Sequence, residues 1–364
     1  MKIAQVAPLY ESVPPQLYGG TERVVSYLTE ELIRQGHDVT LFASGDSVTS
    51  ARLISTCRRS LRLDPECTDQ IAHHLVQLEE VFRRVKDFDV FHFHVDYFHF
   101  PWSRRIPVRQ ITTLHGRLDL PDLVPLYREY PEMPVVSISD DQRKPLPWLN
   151  WVATVHHGLP PELHACVEGP GNYLVFLGRI SPEKRPDLAI EIAGRAGLPL
   201  KIAAKVDKAD REYFEEVVRP LLSQPHVEFL GEVGEEDKGK LLGGACALLF
   251  PIDWPEPFGM VMIEAMACGT PIIAFRRGSV PEVMKDRRTG FICDSVDEAV
   301  AAVGRLSEVS RQEVRKVFEE RFTAERMARD YVAIYERLLR EDQVDANARG
   351  TGTFFDSGDR ATSR

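Results

Sequence analysis

The sequence has no run of about 18 or more apolar residues, so no membrane-spanning helix is expected. It has no leader-like start either: Lys2-Ile3-Ala4-Gln5-Val6-Ala7 enters a strand at once, which predicts a cytoplasmic protein. Its cysteines, at 57, 67, 166, 246, 268 and 293, include no C-x-x-C pair and read as free thiols in or near the core. No excess of positive charge is present. The formal net charge is −10, which argues against nonspecific nucleic-acid binding. Residues 1–160 carry 17 Lys/Arg and 20 Asp/Glu, a net of −3, leaving −7 for the rest. Short basic clusters, Arg58-Arg59, Arg83-Arg84-Lys86 and Arg104-Arg105-Arg109, read as solvated faces rather than a membrane-binding patch. No 20–50-residue repeat is visible.

What the chain does have is alternation. A length of 364 residues suggests two domains. Short β-rich runs alternate with amphipathic runs, the pattern of parallel sheets in α/β domains. Strands are expected at 2–7, 38–43, 89–94, 109–114, 134–138 and 152–156, with helices at 21–35, capped by Thr21, and 69–86. A linker-like stretch, Glu162 to Asn172, precedes a second set of strands at 173–178, 199–204, 226–230, 246–250, 271–275 and 290–293. Helices are expected between them at 186–196, 209–222, 235–243, 259–268 and 279–285. The predicted organisation is an N-terminal Rossmann-like domain over 1–160, a second over 161–322, a helix over 323–341 capped by Thr323, and a disordered tail over 342–364 with possible local order at Phe354-Phe355. Ligands of such sheets bind at the strands' carboxyl ends, hence in the cleft between the domains.

The most informative segment runs from Glu256 through Pro257-Phe258-Gly259-Met260-Val261 to Glu264 and on to Gly269 and Pro271. One carboxylate lies in a Pro- and Gly-bearing loop, the other inside an apolar helix, where burial is costly without a partner. Between them a helix N-terminus at Gly259 offers free amides and a positive dipole end suited to phosphate. The step between the acids is roughly 12 Å if helical, a span that suits a nucleotide-sugar.

This segment resembles the E-x7-E signature of retaining glycosyltransferases with the GT-B fold, most closely glycosyltransferase family 4. Three more segments resemble that family in the same order: Tyr18-Gly19-Gly20-Thr21-Glu22-Arg23 its glycine loop, Thr112-Thr113-Leu114-His115-Gly116 its active-site His loop, and Gly178-Arg179-Ile180-Ser181-Pro182-Glu183-Lys184 its phosphate-binding G-R-x-x-x-E-K. His157-Gly158 departs from the family's usual Asn-Gly. The resemblance implies an α/β GT-B fold, two Rossmann-like domains facing across a cleft with a C-terminal helix crossing back, and transfer of a sugar from a nucleotide-diphospho-sugar, UDP-glucose or another UDP-sugar by base rate, to a hydroxyl acceptor. It implies catalytic roles for His115, Arg179, Lys184 and Glu256. Donor contacts are expected from Gly19, Gly20, Arg179, Lys184, Glu232, Glu256, Phe258, Gly259, Met260, Val261 and Glu264. His94, Asp96 and Ser139 are expected on the acceptor side. His92 and His94 share one strand face at a spacing that can bind metal, but the family needs none, and neither metal nor cofactor is expected. Alternatives on the same fold are a nucleotide-sugar epimerase, a sugar phosphorylase or a non-catalytic sugar-nucleotide binder. Acceptor and oligomeric state have no motif in the sequence.

Overall fold

The computed structural model describes residues 1–16 and 19–350; Tyr18, Phe354 and Phe355 lie outside them. The first half forms β1 (Lys2–Val6), β2 (Asp38–Phe42), β3 (Arg52–Ile54), β4 (Val90–Phe93), β5 (Gln110–Thr113), β6 (Val135–Ser137) and β7 (Trp151–Thr154). They make one sheet in the order β3-β2-β1-β4-β5-β6-β7, with every pair parallel. The second half forms β8 (Leu174–Arg179), β9 (Leu200–Lys205), β10 (Val227–Gly231), β11 (Ala247–Phe250), β12 (Ile272–Phe275) and β13 (Gly290–Cys293). These make a second all-parallel sheet, β10-β9-β8-β11-β12-β13. Most strands are buried along their length because helices cover both faces, so they read as apolar runs rather than alternations.

Each sheet reverses its strand order beside its first strand, between β1 and β4 and between β8 and β11. Such reversal opens a crevice at the carboxyl edge. The loops that leave β1, β8 and β11 there carry the glycine pair, the Arg179/Lys184 pair and Glu256. Topology therefore gathers motifs that lie more than 200 residues apart in sequence.

The last helix begins at Ala324 and runs to Gly350, beyond the expected end at 341 and into the stretch expected to be disordered. Thr323 caps it, its hydroxyl accepting from Arg326 N at 3.2 Å. Met327, Tyr331, Ile334 and Tyr335 bury one face among Ile3, Val24, Leu28, Val90 and Ile111. The helix thus leaves the second domain and completes the core of the first.

Several elements differ from expectation. The first helix spans Gly20–Arg34, with Gly19 rather than Thr21 at the cap position and no side-chain cap. The helix expected over 209–222 forms as one continuous run over 211–221 that widens to a π segment at Phe214–Val218, where Pro220 has no N–H to continue the α ladder. Helices at Val296–Val303 and Arg311–Arg321 were not anticipated. Their signals are Ser295-x-x-Glu298 and Ser310-x-x-Glu313, whose serines accept from the glutamate amides at 3.2 and 3.4 Å. Among the described residues no helix is long and apolar enough to cross a membrane.

Tyr331 is 1% exposed and sits in the first domain's core. Tyr331→Ala should destabilise that domain by about 3–5 kcal/mol, the usual cost of truncating a large buried ring. Urea titration followed by tryptophan fluorescence measures this; an unchanged midpoint would mean that the helix is not integral to the domain.

Candidate active site

Gly19, Gly20, His115, Arg179, Lys184, Glu232, Glu256, Phe258, Gly259, Met260, Val261 and Glu264 all line one cleft of about 280 Å³ between the two sheets. The structure therefore brings every expected donor-side residue together.

Glu256 and Glu264 flank the start of the Met260–Ala267 helix. Gly259 stands before it at φ 77, and a Cβ there would lie 2.7 Å from Met262 Cε. No side chain caps this helix, so its first amides are left for an anion. Both glutamates are nearly buried, 8% and 5% exposed, and each is held by a lysine. Lys184 Nζ ion-pairs with Glu256 Oε2, which also accepts from Trp254 Nε1 at 3.1 Å. Lys238 Nζ donates to Glu264 Oε1 at 2.8 Å. Pairing is what makes two carboxylates tolerable at this depth.

Arg179, at the end of β8, faces Asp210 at 3.3 Å and Glu183 at 3.4 Å. The side chain keeps 32% of its surface exposed. Lys184 also lies 5.0 Å from the Trp254 ring centre, a cation–π contact. Two cations and an uncapped helix start make this end of the cleft fit for a diphosphate.

The opposite wall is built from imidazoles. His115 follows β5; its ring stacks on His157 at 5.2 Å, and His157 meets Phe258 edge-on at 4.9 Å. Burial holds the His115 pKa down at about 3, so the ring is neutral at any physiological pH. His115 Nε2 lies 2.9 Å from His94 Nδ1, and His94 Nε2 lies 2.8 Å from Gln5 Oε1.

The acceptor-side expectations fare differently. His94 is buried, and both ring nitrogens are bonded to Gln5 and His115, so it does not present itself to a ligand. Ser139 is fully buried; its hydroxyl donates to Pro257 O at 2.6 Å and accepts from Gln142 N at 3.1 Å, which makes it a clasp between the domains instead of a cleft group. Asp96 follows β4 at φ 48. It is exposed, and crowding by the surrounding protein raises its carboxyl above the usual range. No group of three or more His, Cys, Asp or Glu among the described residues could hold a metal. The sequence's Asp-x-Asp triplet, Asp87-Phe88-Asp89, precedes β4, at the end of the sheet away from the cleft.

Sequence reading missed Lys238 and Gly278, quoted Arg23 only within the glycine loop, and noted His157 only as a departure from the family's Asn-Gly. Lys238 lies one turn after Glu235, at an i,i+3 spacing that could have suggested it. Glu235 ties Lys238, at 3.1 Å, to Arg23 of the first domain. Burial alone would raise the Glu235 carboxyl; His164, Lys238 and Arg23 hold it down at about 2. Gly278, at φ 52, lies against Glu256: a Cβ there would fall 2.3 Å from Glu256 N. Nothing local in the sequence marks that contact.

His92, His94, His99 and His157 are buried and His115 is half-buried, all with pKa values lowered by desolvation. Unfolding lets each take up a proton below about pH 6.5. The stability these neutral rings contribute is therefore complete above about pH 6.5 and falls as pH drops toward the folded values, by up to about 1.4 kcal/mol per pH unit for each ring. Urea midpoints should drop steeply from pH 7 to pH 5; equal midpoints would show that the rings are not held neutral.

A profile described as "Glycosyltransferase Family 4" matches residues 18–174, and one described as "Glycosyl transferases group 1" matches residues 167–324. The chain is 31% identical over 136 residues to N-acetyl-alpha-D-glucosaminyl L-malate synthase of Bacillus anthracis, covering 35% of each chain. It is 33% identical over 140 residues to D-inositol 3-phosphate glycosyltransferase of Streptomyces scabiei, covering 35% of this chain and 31% of that one. The alignments thus span only about a third of these two relatives' own length. Among solved structures, AviGT4, a glycosyltransferase involved in avilamycin A biosynthesis, superposes with TM-score 0.71 at 26% identity over 93% of this chain and 98% of its own. An Anabaena protein, Alr3699/HepE, solved in complex with UDP and glucose, shares the fold with TM-score 0.70 at 16% identity, over 93% of this chain and 100% of its own. With the two profiles matching its two domains in turn, and with paired Rossmann-like sheets closed by a returning helix, the chain belongs to the GT-B glycosyltransferases of the family 4 type.

Proposed function

We propose that this protein is a retaining glycosyltransferase that moves a sugar from a nucleotide-diphospho-sugar, a UDP-sugar first among them, to a hydroxyl acceptor, without a metal ion. The observation that carries this reading is the shared cleft: Lys184 on Glu256 and Lys238 on Glu264, either side of an uncapped helix start. The Anabaena neighbour's complex with UDP and glucose supports the donor class.

On this reading the diphosphate lies over the amides after Gly259, with Arg179 and Lys184 neutralising it. As the bond from anomeric carbon to phosphate oxygen breaks, negative charge grows on the phosphate, and the two cations stabilise it more than in the ground state. The acceptor hydroxyl attacks from the same face, and its proton passes to the leaving phosphate. Glu256 binds hydroxyls of the transferred sugar, and Glu264 serves the ribose. Lys184 must turn partly from Glu256 to the phosphate, so the pair stores both charges in position before the donor arrives. Of the three acceptor-side candidates this reading keeps Asp96, in the exposed turn after β4, and takes the protein as a cytoplasmic enzyme.

Incubation with a panel of nucleotide-sugars, with and without hydroxylated acceptors, tests the proposal by release of free nucleotide. Product analysis separates transfer from epimerisation and phosphorolysis; no release from any donor would remove the reading. Lys184→Ala should lower kcat/KM by about two orders of magnitude with the fold intact, and near-normal turnover would take the cation out of the mechanism. The two glutamates should separate by calorimetry with free UDP. Glu264→Ala should weaken binding about ten- to a hundredfold. Glu256→Ala should leave UDP binding nearly unchanged yet cut turnover sharply. The reverse pattern would overturn their roles.

A further inference from the structure

A continuous polar ladder runs from the returning helix to the cleft. Tyr331 OH lies 2.8 Å from Thr113 Oγ1, and Thr113 Oγ1 lies 2.7 Å from His92 Nε2. His92 Nδ1 lies 2.8 Å from Tyr335 OH, which accepts from Gln5 Nε2 at 3.2 Å. Gln5 Oε1 then meets His94 Nε2, and His94 Nδ1 meets His115 Nε2. All these groups except His115 are buried in the first domain's core or in the helix. None exchanges partners freely with water, so the protons along the ladder are coupled.

Proton bookkeeping follows from the placement of the Gln5 amide, with Nε2 toward Tyr335 and Oε1 toward His94. Gln5 Oε1 can only accept, so His94 carries its proton on Nε2. A neutral His94 then has a bare Nδ1, which accepts from His115 Nε2–H. A neutral His115 with its proton on Nε2 has a bare Nδ1. That nitrogen is buried and has no hydrogen-bond partner among the described residues, although its ring borders the donor cleft. A buried acceptor without a donor is costly, and such groups are completed by ordered water or by a bound molecule. Tyr335 holds the other end: its hydroxyl accepts from Gln5 Nε2 at 3.2 Å and lies 2.8 Å from His92 Nδ1. This keeps the amide nitrogen turned to the helix and the amide oxygen turned to His94.

We propose that Gln5 is a positioning residue. Through His94 it sets the tautomer of His115, leaving Nδ1 as the acceptor for a hydroxyl of the donor sugar. The identity of that ligand rests on the function proposed above; the tautomer itself does not. If Gln5 loses its acceptor oxygen, His94 can reverse, donate from Nδ1 to His115 Nε2, and turn His115 Nδ1 into an N–H. Nδ1 would then offer a proton in place of a lone pair, and the sugar hydroxyl would have to rotate to accept it and give up the direction in which it had donated.

Long-range ¹H–¹⁵N spectra of histidine-labelled, unliganded full-length protein at neutral pH read the tautomer directly. His115→Asn, by loss of its signals, assigns them. The expected wild-type pattern is a protonated Nε2 and a bare Nδ1 on both His94 and His115. Gln5→Leu should convert this to the reverse or mixed pattern, and Gln5→Glu, which keeps an acceptor oxygen at that place, should restore it. With UDP-glucose as the probe, Gln5→Leu should slow release of UDP about tenfold while UDP affinity by calorimetry stays as in wild type, and Gln5→Glu should recover turnover. A protonated Nδ1 on wild-type His115, or an unchanged tautomer in Gln5→Leu, overturns the proposal. So does a switched tautomer with unchanged turnover, or an equal loss of UDP affinity, which would make the role merely structural. If wild type binds neither UDP nor UDP-glucose, the donor assignment fails while the spectra still judge the ladder.

Discussion

Lys184 and Glu256 hold each other in a cleft where neither would be stable alone. Burying a lone ammonium or carboxylate is costly, and that cost is offset only when an opposite charge with good geometry stands beside it. Lys238 and Glu264 repeat the arrangement at the far side of the Met260–Ala267 helix start. Much of the second domain's architecture serves these two pairs. β8 delivers Lys184, the loop after β11 delivers Glu256, and Gly278 lies close enough to the Glu256 backbone that only glycine fits. Ser279 N then donates to Glu256 O at 3.0 Å, fixing the loop. Each pair holds a cation at the wall of the cleft.

The first domain contributes the opposite wall, and its order depends on an element that belongs by sequence to the other end of the chain. The returning helix places Tyr331 and Tyr335 against β1, β4 and β5. Other contacts tie the halves together near the cleft: His156 to Glu282 at 2.6 Å, Arg117 to Glu183 at 2.7 Å, and Arg326 to the carbonyl of His157 at 3.0 Å. These polar contacts stand beside apolar ones: Ile138 joins the second domain's core cluster, and Met260 packs against that of the first.

The fold was legible because its signals are local and repeated. Apolar strand runs alternating with capped amphipathic helices are enough to call two parallel sheets, and β3 escaped only because Arg52–Ile54 is a three-residue edge strand. The donor-side residues were legible because glycine, arginine, lysine and glutamate at strand ends have few structural reasons to stand there. Partnerships were not legible. Lys238 reaches Glu264 across 26 residues, Gln5 reaches His94 across 89, and Gly278 meets Glu256 through a loop crossing. No period or spacing encodes such contacts. For the same reason His94 and Ser139 were misplaced. Their positions at strand ends were right, but what each bonds to is decided by elements distant in sequence.

The central claim is that protein cations and helix amides, rather than a metal, meet the donor's diphosphate. Calorimetric titration of UDP in EDTA and again in Mg²⁺ tests it most directly. The account predicts one site per chain with the same affinity in both, and a loss of about tenfold or more in Lys184→Ala. Binding that vanishes in EDTA and returns with Mg²⁺ would contradict it.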